Sequence, residues 1–297
     1  MEARSIAEKP DSGLAPRGGA DEKYRRRSYE LWQQMATRWE RGREVLWETT
    51  RPASEWLVDR LEPQPGQTIL DLAAGAGETG FLAADRVGEQ GRIISSDFAP
   101  RMVAAAERVA KKLGITNAEF RVLDAERLGL ENGSVDAVVC RFGYMLMADP
   151  GQALRETERV LRDRGRLAFS VFGEPERNPW MTVARGVMVE RGHLQSPDPD
   201  EPGLFRLSDP EEIRTLLSDA GFVHGEVEEM PIAFRFDDAD SLWAYTSELQ
   251  GPIALAIAQL DDEERKAVRA AIEEGFAAFR ENGGYRLPGL VLNVLAF

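Results

Sequence analysis

Between Gln67 and Phe172 five short apolar runs, QTILDLA, GRIISSD, AEFRVLD, VDAVVCRF and GRLAFSVF, alternate with segments of helical periodicity. Runs of Ile, Val and Leu that lack a polar face suit strands buried on both sides, and such strands occur in parallel sheets joined by crossover helices. Because those crossovers are right-handed, the alternation restricts the chain to an open, doubly wound α/β sheet. The helix signals agree with it. A helix from Glu78 to Val87 follows a glycine loop, Pro100 opens another that Gly114 stops, and Asp149-Pro150 caps a third to about Leu161.

The flanks add helices and strands. Tyr24, Tyr29, Trp32, Ala36 and Trp39 recur at helical spacing, and Pro52 fits the first turn of a second helix reaching Leu61. After Phe172, five prolines surround a short helical pattern, WMTVARGVMVERG. Ser208 and Glu211 then read as a capping box for a helix ending at Gly221. FVHGEVEEM and IAFRF resume strand character, a helical pair covers about 239–260 and 262–281, and GLVLNVLAF closes as a strand. The expected α/β architecture is a Rossmann-like, seven-stranded doubly wound sheet with an N-terminal helical cap and an inserted lid. Its expected parts are a disordered arm (1–22), the cap (23–62), a core (63–173), the lid (174–207) and a C-terminal part of the same sheet (208–297).

Composition removes several function classes. With 51 acidic against 37 basic residues, the formal charge of -14 repels polyanions, so no nucleic-acid partner is expected. The Arg25-Arg26-Arg27 run is short, has acidic residues on both sides and reads as a solvated helix face. One cysteine, Cys140, and two histidines do not make a structural zinc site, so no metal is expected. The sequence offers no membrane span and no apolar signal segment, and the chain reads as cytoplasmic.

The first strand ends in DLAAGAGETG, with G-x-G-x-x-G at Gly75, Gly77 and Gly80. A glycine turn between a strand and a helix lets the backbone approach a ligand, and the helix N-terminus favours an anion there. The spacing alone suits a nicotinamide dinucleotide or a plain tight turn. Asp97 ends the second strand, 20 residues after Gly77, where a carboxylate can accept from both hydroxyls of a ribose. Asp124 ends the third strand and Arg141-Phe142 the fourth, so four consecutive strand ends carry polar or aromatic groups at the rim where open sheets bind ligands.

ILDLAAGAGETG, SSDFAPRMVAAA, RVLDAERLGLENGSVDAVVCRFGYMLMADP and LRDRGRLAFSVFG resemble the successive motifs of class I S-adenosylmethionine-dependent methyltransferases. Within these, the chain is most similar to the small-molecule group related to ubiquinone/menaquinone-biosynthesis C-methyltransferases. The resemblance implies S-adenosyl-L-methionine as cofactor. It implies that Asp71 and the backbone of Ala73, Ala74, Gly75 and Gly77 hold the methionyl part, and that Asp97 takes the ribose hydroxyls. Phe98 and Met102 would pack on the adenine, Asp124 and Ala125 would meet its edge, and Arg141 and Phe142 would lie beside the sulfonium. Ordinary helix packing is the alternative for Phe98 and Met102, and a surface ion pair for Arg141.

A sulfonium carries an activated methyl group, so in-line displacement needs mainly an aligned nucleophile and the exclusion of water. No catalytic triad is required, and a base only when the nucleophile is not already an anion or a free amine. Tyr144 and His193 are the candidates for substrate-facing polar groups. The segment after the fourth strand, CRFGYM, lacks the Asn/Asp-Pro-Pro-aromatic motif of base amino-methylases and the terminal aspartate of metal-dependent catechol-type enzymes. Cys140 lies inside an apolar strand, a poor setting for a nucleophile. These omissions point to a small organic acceptor, with Trp32, Trp39, Trp47, Trp180, Met181, Met188, Trp243 and Tyr245 as an apolar lid or as simple helix-to-sheet packing. An NAD-dependent oxidoreductase and a non-catalytic cofactor-binding partner protein are the rival readings.

Overall fold

The computed structural model describes residues 20–197 and 201–297. Most of the segment expected to be a disordered arm therefore lies outside the described residues, and residues 20–22 already belong to a helix. That helix, α1 (Ala20–Leu61), runs unbroken for 42 residues, about 63 Å at the usual helical rise.

The sheet is built from β1 (Thr68–Leu72), β2 (Arg92–Asp97), β3 (Ala118–Val122), β4 (Val135–Arg141), β5 (Leu161–Phe172), β6 (Gly225–Phe236), β7 (Arg280–Glu281) and β8 (Gly284–Ala296). Seven of them form the path β3-β2-β1-β4-β5-β8-β6, and the two-residue β7 makes a short hairpin with β8. β3, β2, β1, β4 and β5 are parallel, and β8 inserts antiparallel between β5 and β6. Chain order reverses between β1 and β4, so their carboxyl ends flank the crevice where this topology accepts ligands.

Connecting helices are α2 (Glu78–Val87), α3 (Pro100–Leu113), α4 (Pro150–Val160), α5 (Pro179–Glu190), α6 (Pro210–Ala220), α7 (Ala239–Leu249), α8 (Pro252–Ile257) and α9 (Asp262–Gly275). Side chains alternate between two covered faces. Ile69, Ile93 and Val139 meet Leu57 and Val58 of α1 and Ala84 and Val87 of α2, whereas Leu70, Leu72 and Val138 join a larger cluster containing Leu154 of α4.

The expected break at Pro52 does not occur, because α1 continues through the proline. An interior proline costs about 3 kcal/mol, yet Ala53, Leu57, Val58 and Leu61 beyond it are buried against the sheet. Burial of a Leu or Val contributes about 1.5–3 kcal/mol, so tertiary packing outweighs the lost backbone bond. The cap of α6 is Asp209, whose carboxylate accepts the Glu211 amide at 2.9 Å, and Ser208 is not the N-cap. Since Asp209 directly precedes a proline at the first helical position, it holds the extended backbone that a cap requires. Gly251, at φ +50°, divides the first member of the expected helical pair into α7 and α8.

Residues expected to form a lid supply α5, whose Trp180, Met181 and Met188 are buried in the same cluster as β5 and β8. Asn178 fixes this attachment. Its amide donates to the carbonyls of Gly173 and Leu290, and its carbonyl accepts the Trp180 indole and the Leu290 amide, both at 3.0 Å.

Candidate cofactor site

The glycine loop and β2 form one bonded unit. Ala74 donates to the carbonyl of Ser96 at 2.8 Å, and Gly75 donates to Asp97 Oδ2 at 3.2 Å. Asp97 Oδ1 accepts the Ala99 amide at 2.9 Å. Two glycines are dictated by space. Gly77 has φ +91°, and a Cβ there would lie 2.4 Å from the Phe81 ring, while a Cβ on Gly80 would lie 2.6 Å from Asp71 Oδ2. That approach allows Gly80 to donate its amide to Asp71 at 2.8 Å, tying the first turn of α2 to β1.

Both acids are buried beneath the loop. Burial pushes Asp71 up to about 7 and Asp97 up to about 6, although backbone amides pull each of them down. Asp71 Oδ1 and Glu78 Oε1 are buried without a hydrogen-bond partner. Beside them Arg141, at the end of β4, donates through Nε to Thr79 at 3.0 Å and through Nη1 to Thr50, while Nη2 stays 3.9 Å from Glu78. Burial lowers the Arg141 pKa from its ordinary value, and Glu78 and Asp71 counteract this. Arg43 of α1 approaches Glu78 at 3.9 Å from the other side.

An orphaned carboxylate oxygen costs free energy unless something donates to it, and a guanidinium with a spare N–H suits an acceptor. Asp71, Glu78 and Arg141 thus match a zwitterionic group carrying both an ammonium and a carboxylate. Asp97, at the exit of β2, suits a vicinal diol. The donor set fits a ligand that joins an amino acid to a nucleoside.

Phe142 follows Arg141 with φ +61°, a left-handed backbone that non-glycine residues seldom adopt. Its amide donates to Ser170 at 2.9 Å, and its ring stacks on Phe172 with centroids 4.3 Å apart and planes within 8°. The aromatic contacts continue from Phe172 to Trp180, Phe234 and Tyr245. Ala73, at the end of the adjacent β1, also has positive φ, at +53°. Strain of this kind concentrates at ligand sites.

The structure brings Asp71, Ala73, Ala74, Gly75, Gly77, Asp97, Phe98, Asp124, Ala125, Arg141 and Phe142 to one rim, formed by the carboxyl ends of β1–β4 and the loops that follow them. Met102 sits one turn into α3, buried against Met35 and Ala36 of α1. Tyr144 is fully buried, and its hydroxyl shares a 2.6 Å hydrogen bond with Thr157, so it does not face an acceptor. His193 lies after α5 and bonds Glu264 of α9 at 2.7 Å, alongside Arg191 on the same carboxylate, so it fastens two helices together. Burial pushes the Cys140 thiol up, which disfavours the thiolate.

The reading of Arg25–Arg27 as a solvated face holds for two of the three. The side chain of Arg26 is 74% exposed and that of Arg27 is 56% exposed, whereas Arg25 is 20% exposed and turned inward to Asp124 and Glu126. Glu78 and Thr79 directly follow Gly77 and were within reach of sequence reasoning. Arg25, Arg43 and Thr50 carry no local signal, because only the docking of α1 brings them to the rim. Trp39 of that helix lies 3.9 Å from where a Gly75 Cβ would stand, donates to Leu249 at 3.2 Å and meets Trp32 edge-on.

Among the described residues no helix is long and apolar enough to cross a membrane, and no group of three or more His, Cys, Asp or Glu could hold a metal ion. A family model described as "Methyltransferase domain" matches residues 63–235, more than half of the chain. Aklanonic acid methyltransferase DauC of Streptomyces sp. (strain C5) is 35% identical over 119 residues, covering 40% of this chain and 54% of that protein. The ubiquinone/menaquinone biosynthesis C-methyltransferase UbiE of Escherichia coli O1:K1 / APEC is 29% identical over 167 residues, covering 53% and 66%. The match thus spans between half and two thirds of these relatives' lengths. The YcgJ protein of Bacillus subtilis shares the fold, with a TM-score of 0.58 at 18% identity over 83% of this chain and 97% of that one.

Proposed function

Because this chain belongs to the methyltransferase-domain family of class I S-adenosylmethionine-dependent proteins, we propose that it methylates a small apolar or aromatic molecule, of the quinone-precursor or secondary-metabolite kind. The observation that carries the acceptor class is the stack of Phe142 on Phe172 beside the guanidinium of Arg141, continued by Trp180, Phe234 and Tyr245. Phe142 is half-buried at the rim, where an aromatic ring suits a flat, lipophilic ligand, and Phe172, Trp180, Phe234 and Tyr245 are buried behind it as its support. Two of the relatives, named for aklanonic acid and for ubiquinone and menaquinone biosynthesis, support the same class.

In this reading Asp97 accepts from the ribose hydroxyls, the backbone of the glycine loop lies against the methionyl part, and Arg141 donates to its carboxylate. Asp71 and Glu78 accept from its ammonium. Phe98 packs beside the adenine, Met102 supports it from beneath, and Asp124 and Ala125 meet the adenine edge. When bound, S-adenosylmethionine supplies a methyl group already activated on sulfur. The chain's own contribution is orientation and exclusion of water. Trp39 and Trp32 of α1 cover the loop side, and Phe142 presents an apolar platform on the acceptor side. No base is needed where the acceptor is already an anion or a free amine.

The test is incubation of the protein and S-adenosylmethionine with a metabolite extract and a panel of quinols and polyketide-like phenols, read as a mass increase of one methyl group. Methyl transfer to a flat aromatic acceptor is expected, and its loss in Asp97→Ala. Tight binding of NAD with none of the sulfonium would overturn the reading in favour of an oxidoreductase. Cofactor binding with no turnover on any acceptor would favour a binding partner protein.

A further inference from the structure

We propose that Arg25 is a latch that holds the first turns of α1 over the adenosine end of the site and must release before the cofactor can bind. The inference rests on the S-adenosylmethionine reading of that site. Arg25 pairs with Asp124 through Nη2 and with Glu126 at 2.6 Å through Nη1, so one guanidinium bridges two carboxylates beyond the end of β3. Both acids also accept from backbone amides. Asp124 Oδ1 accepts the Glu126 amide at 3.0 Å, and Glu126 Oε1 accepts the amides of Ala148 and Asp149 at 3.1 and 3.2 Å.

Neighbouring residues hold α1 in the same place. The Tyr24 hydroxyl donates to the Leu146 carbonyl at 2.8 Å, beyond the end of β4. One turn further on, the Tyr29 ring meets Phe98 edge-on at 6.0 Å, and Gln33 accepts the Arg101 amide at 2.9 Å. Met35 and Ala36 are buried with Ala99 and Met102, and Trp39 covers Gly75. The helix therefore crosses the rim from Asp124 to the glycine loop.

An adenine amino group directed at Asp124 meets a carboxylate already engaged by a cation. A ligand that binds only the released form has its affinity reduced by the fraction of protein in that form. Arg25 is held at the rim by charge, so rising ionic strength screens its pairs in part, less than it would exposed ones, whereas the Met35 and Ala36 contacts further along α1 are not screened. The latch thus acts on the first turns of the helix and leaves the rest docked.

The experiment is stopped-flow binding of S-adenosylhomocysteine to the full chain, followed by the fluorescence of Trp32 and Trp39. Arg25→Gln is expected to associate about fivefold faster and bind tighter by the same factor, with dissociation unchanged. Arg26→Gln, on the exposed side of the same turn, is expected to match the parent. Raising the salt concentration is expected to speed association in the parent but not in Arg25→Gln; because the ligand carries no net charge at neutral pH, steering does not mimic this. Should Arg25→Gln fold poorly by circular dichroism, Arg25→Lys, which keeps the charge but loses the two-pronged guanidinium bridge, takes its place and is expected to lie between it and the parent. Unchanged or weaker binding in a folded Arg25→Gln, or a parent insensitive to salt, overturns the latch. A parent that binds no S-adenosylhomocysteine at all overturns the cofactor reading together with it.

Discussion

The Gly75 amide donates to the carboxylate of Asp97 at 3.2 Å, so the glycine loop of β1 and the acid that ends β2 are a single structural unit. A change at either residue moves both. Asp97→Ala removes the acceptor for Gly75 and Ala99 and, in the proposed reading, for two ribose hydroxyls. With about 1.5–3 kcal/mol for each hydrogen bond to a charged group, affinity for S-adenosylhomocysteine is expected to fall by at least about a hundredfold, as calorimetric titration would show. Asp97→Asn keeps one acceptor and is expected to lie between. Equal affinities in all three proteins would exclude Asp97 from the site.

Asp71 and Asp97 give the fold an unusual pH dependence. Their folded-state values, about 7 and about 6, lie above those of an exposed aspartate, so both hold a proton more tightly folded than unfolded. Their contribution to stability is present in acid and is lost as pH rises from about 4 through about 7, on the order of 4 kcal/mol for Asp71. Urea unfolding of the parent is expected to show lower stability at about pH 8 than at about pH 5, and Asp71→Asn is expected to flatten that difference. Cofactor affinity runs the opposite way. A diol donates to the ionised form of Asp97, so binding strengthens as pH rises through about 6 and then levels off.

Asn178 donates its amide group to the carbonyls of Gly173, Glu174 and Leu290 and takes two N–H donors on its carbonyl, joining α5 to β8 and to the segment after β5. Replacement by alanine leaves several buried groups unpaired at about 1–3 kcal/mol each. Asn178→Ala is expected to lower stability by about 3 kcal/mol or more in chemical denaturation. Below the unfolding transition, cofactor affinity is expected to be unchanged. A parallel loss of affinity would mean that α5 also shapes the cofactor side of the rim.

Tyr144→Phe and His193→Gln test whether these residues touch the acceptor. The Tyr144 hydroxyl is spent on Thr157 and the His193 ring on Glu264. The expected cost of Tyr144→Phe is about 1 kcal/mol of stability, and kcat/KM for methylation is expected to stay within about threefold of the parent for both variants. A loss of a hundredfold or more in folded protein would place either residue in the reaction.

Phe142→Leu separates the acceptor from the cofactor. The substitution removes the stack on Phe172 while keeping an apolar side chain at a left-handed position. Aromatic pairs contribute about 0.5–1.5 kcal/mol beyond their buried area. The expected outcome is a several-fold rise in KM for a flat acceptor, larger than the accompanying loss of affinity for S-adenosylhomocysteine.

The amino-acid sequence by itself determined the first five strands, their parallel direction and the residues that gather at their carboxyl ends. These are local matters: apolar runs bounded by glycine, proline and capping residues state where a strand or helix begins, and chirality states how the pieces connect. Asp71, Asp97, Asp124 and Arg141 were legible because each lies within two residues of the carboxyl end of a strand, and those ends face the same way. Tertiary structure alone decided the course of α1. Local propensity breaks that helix at Pro52, but burial of Leu57, Val58 and Leu61 against the sheet carries it through. The docking that follows brings Arg25 to Asp124, a pair 99 residues apart, while the packing of α4 and α9 takes up Tyr144 and His193. No pattern along the chain encodes those contacts, because each depends on where a whole helix comes to rest.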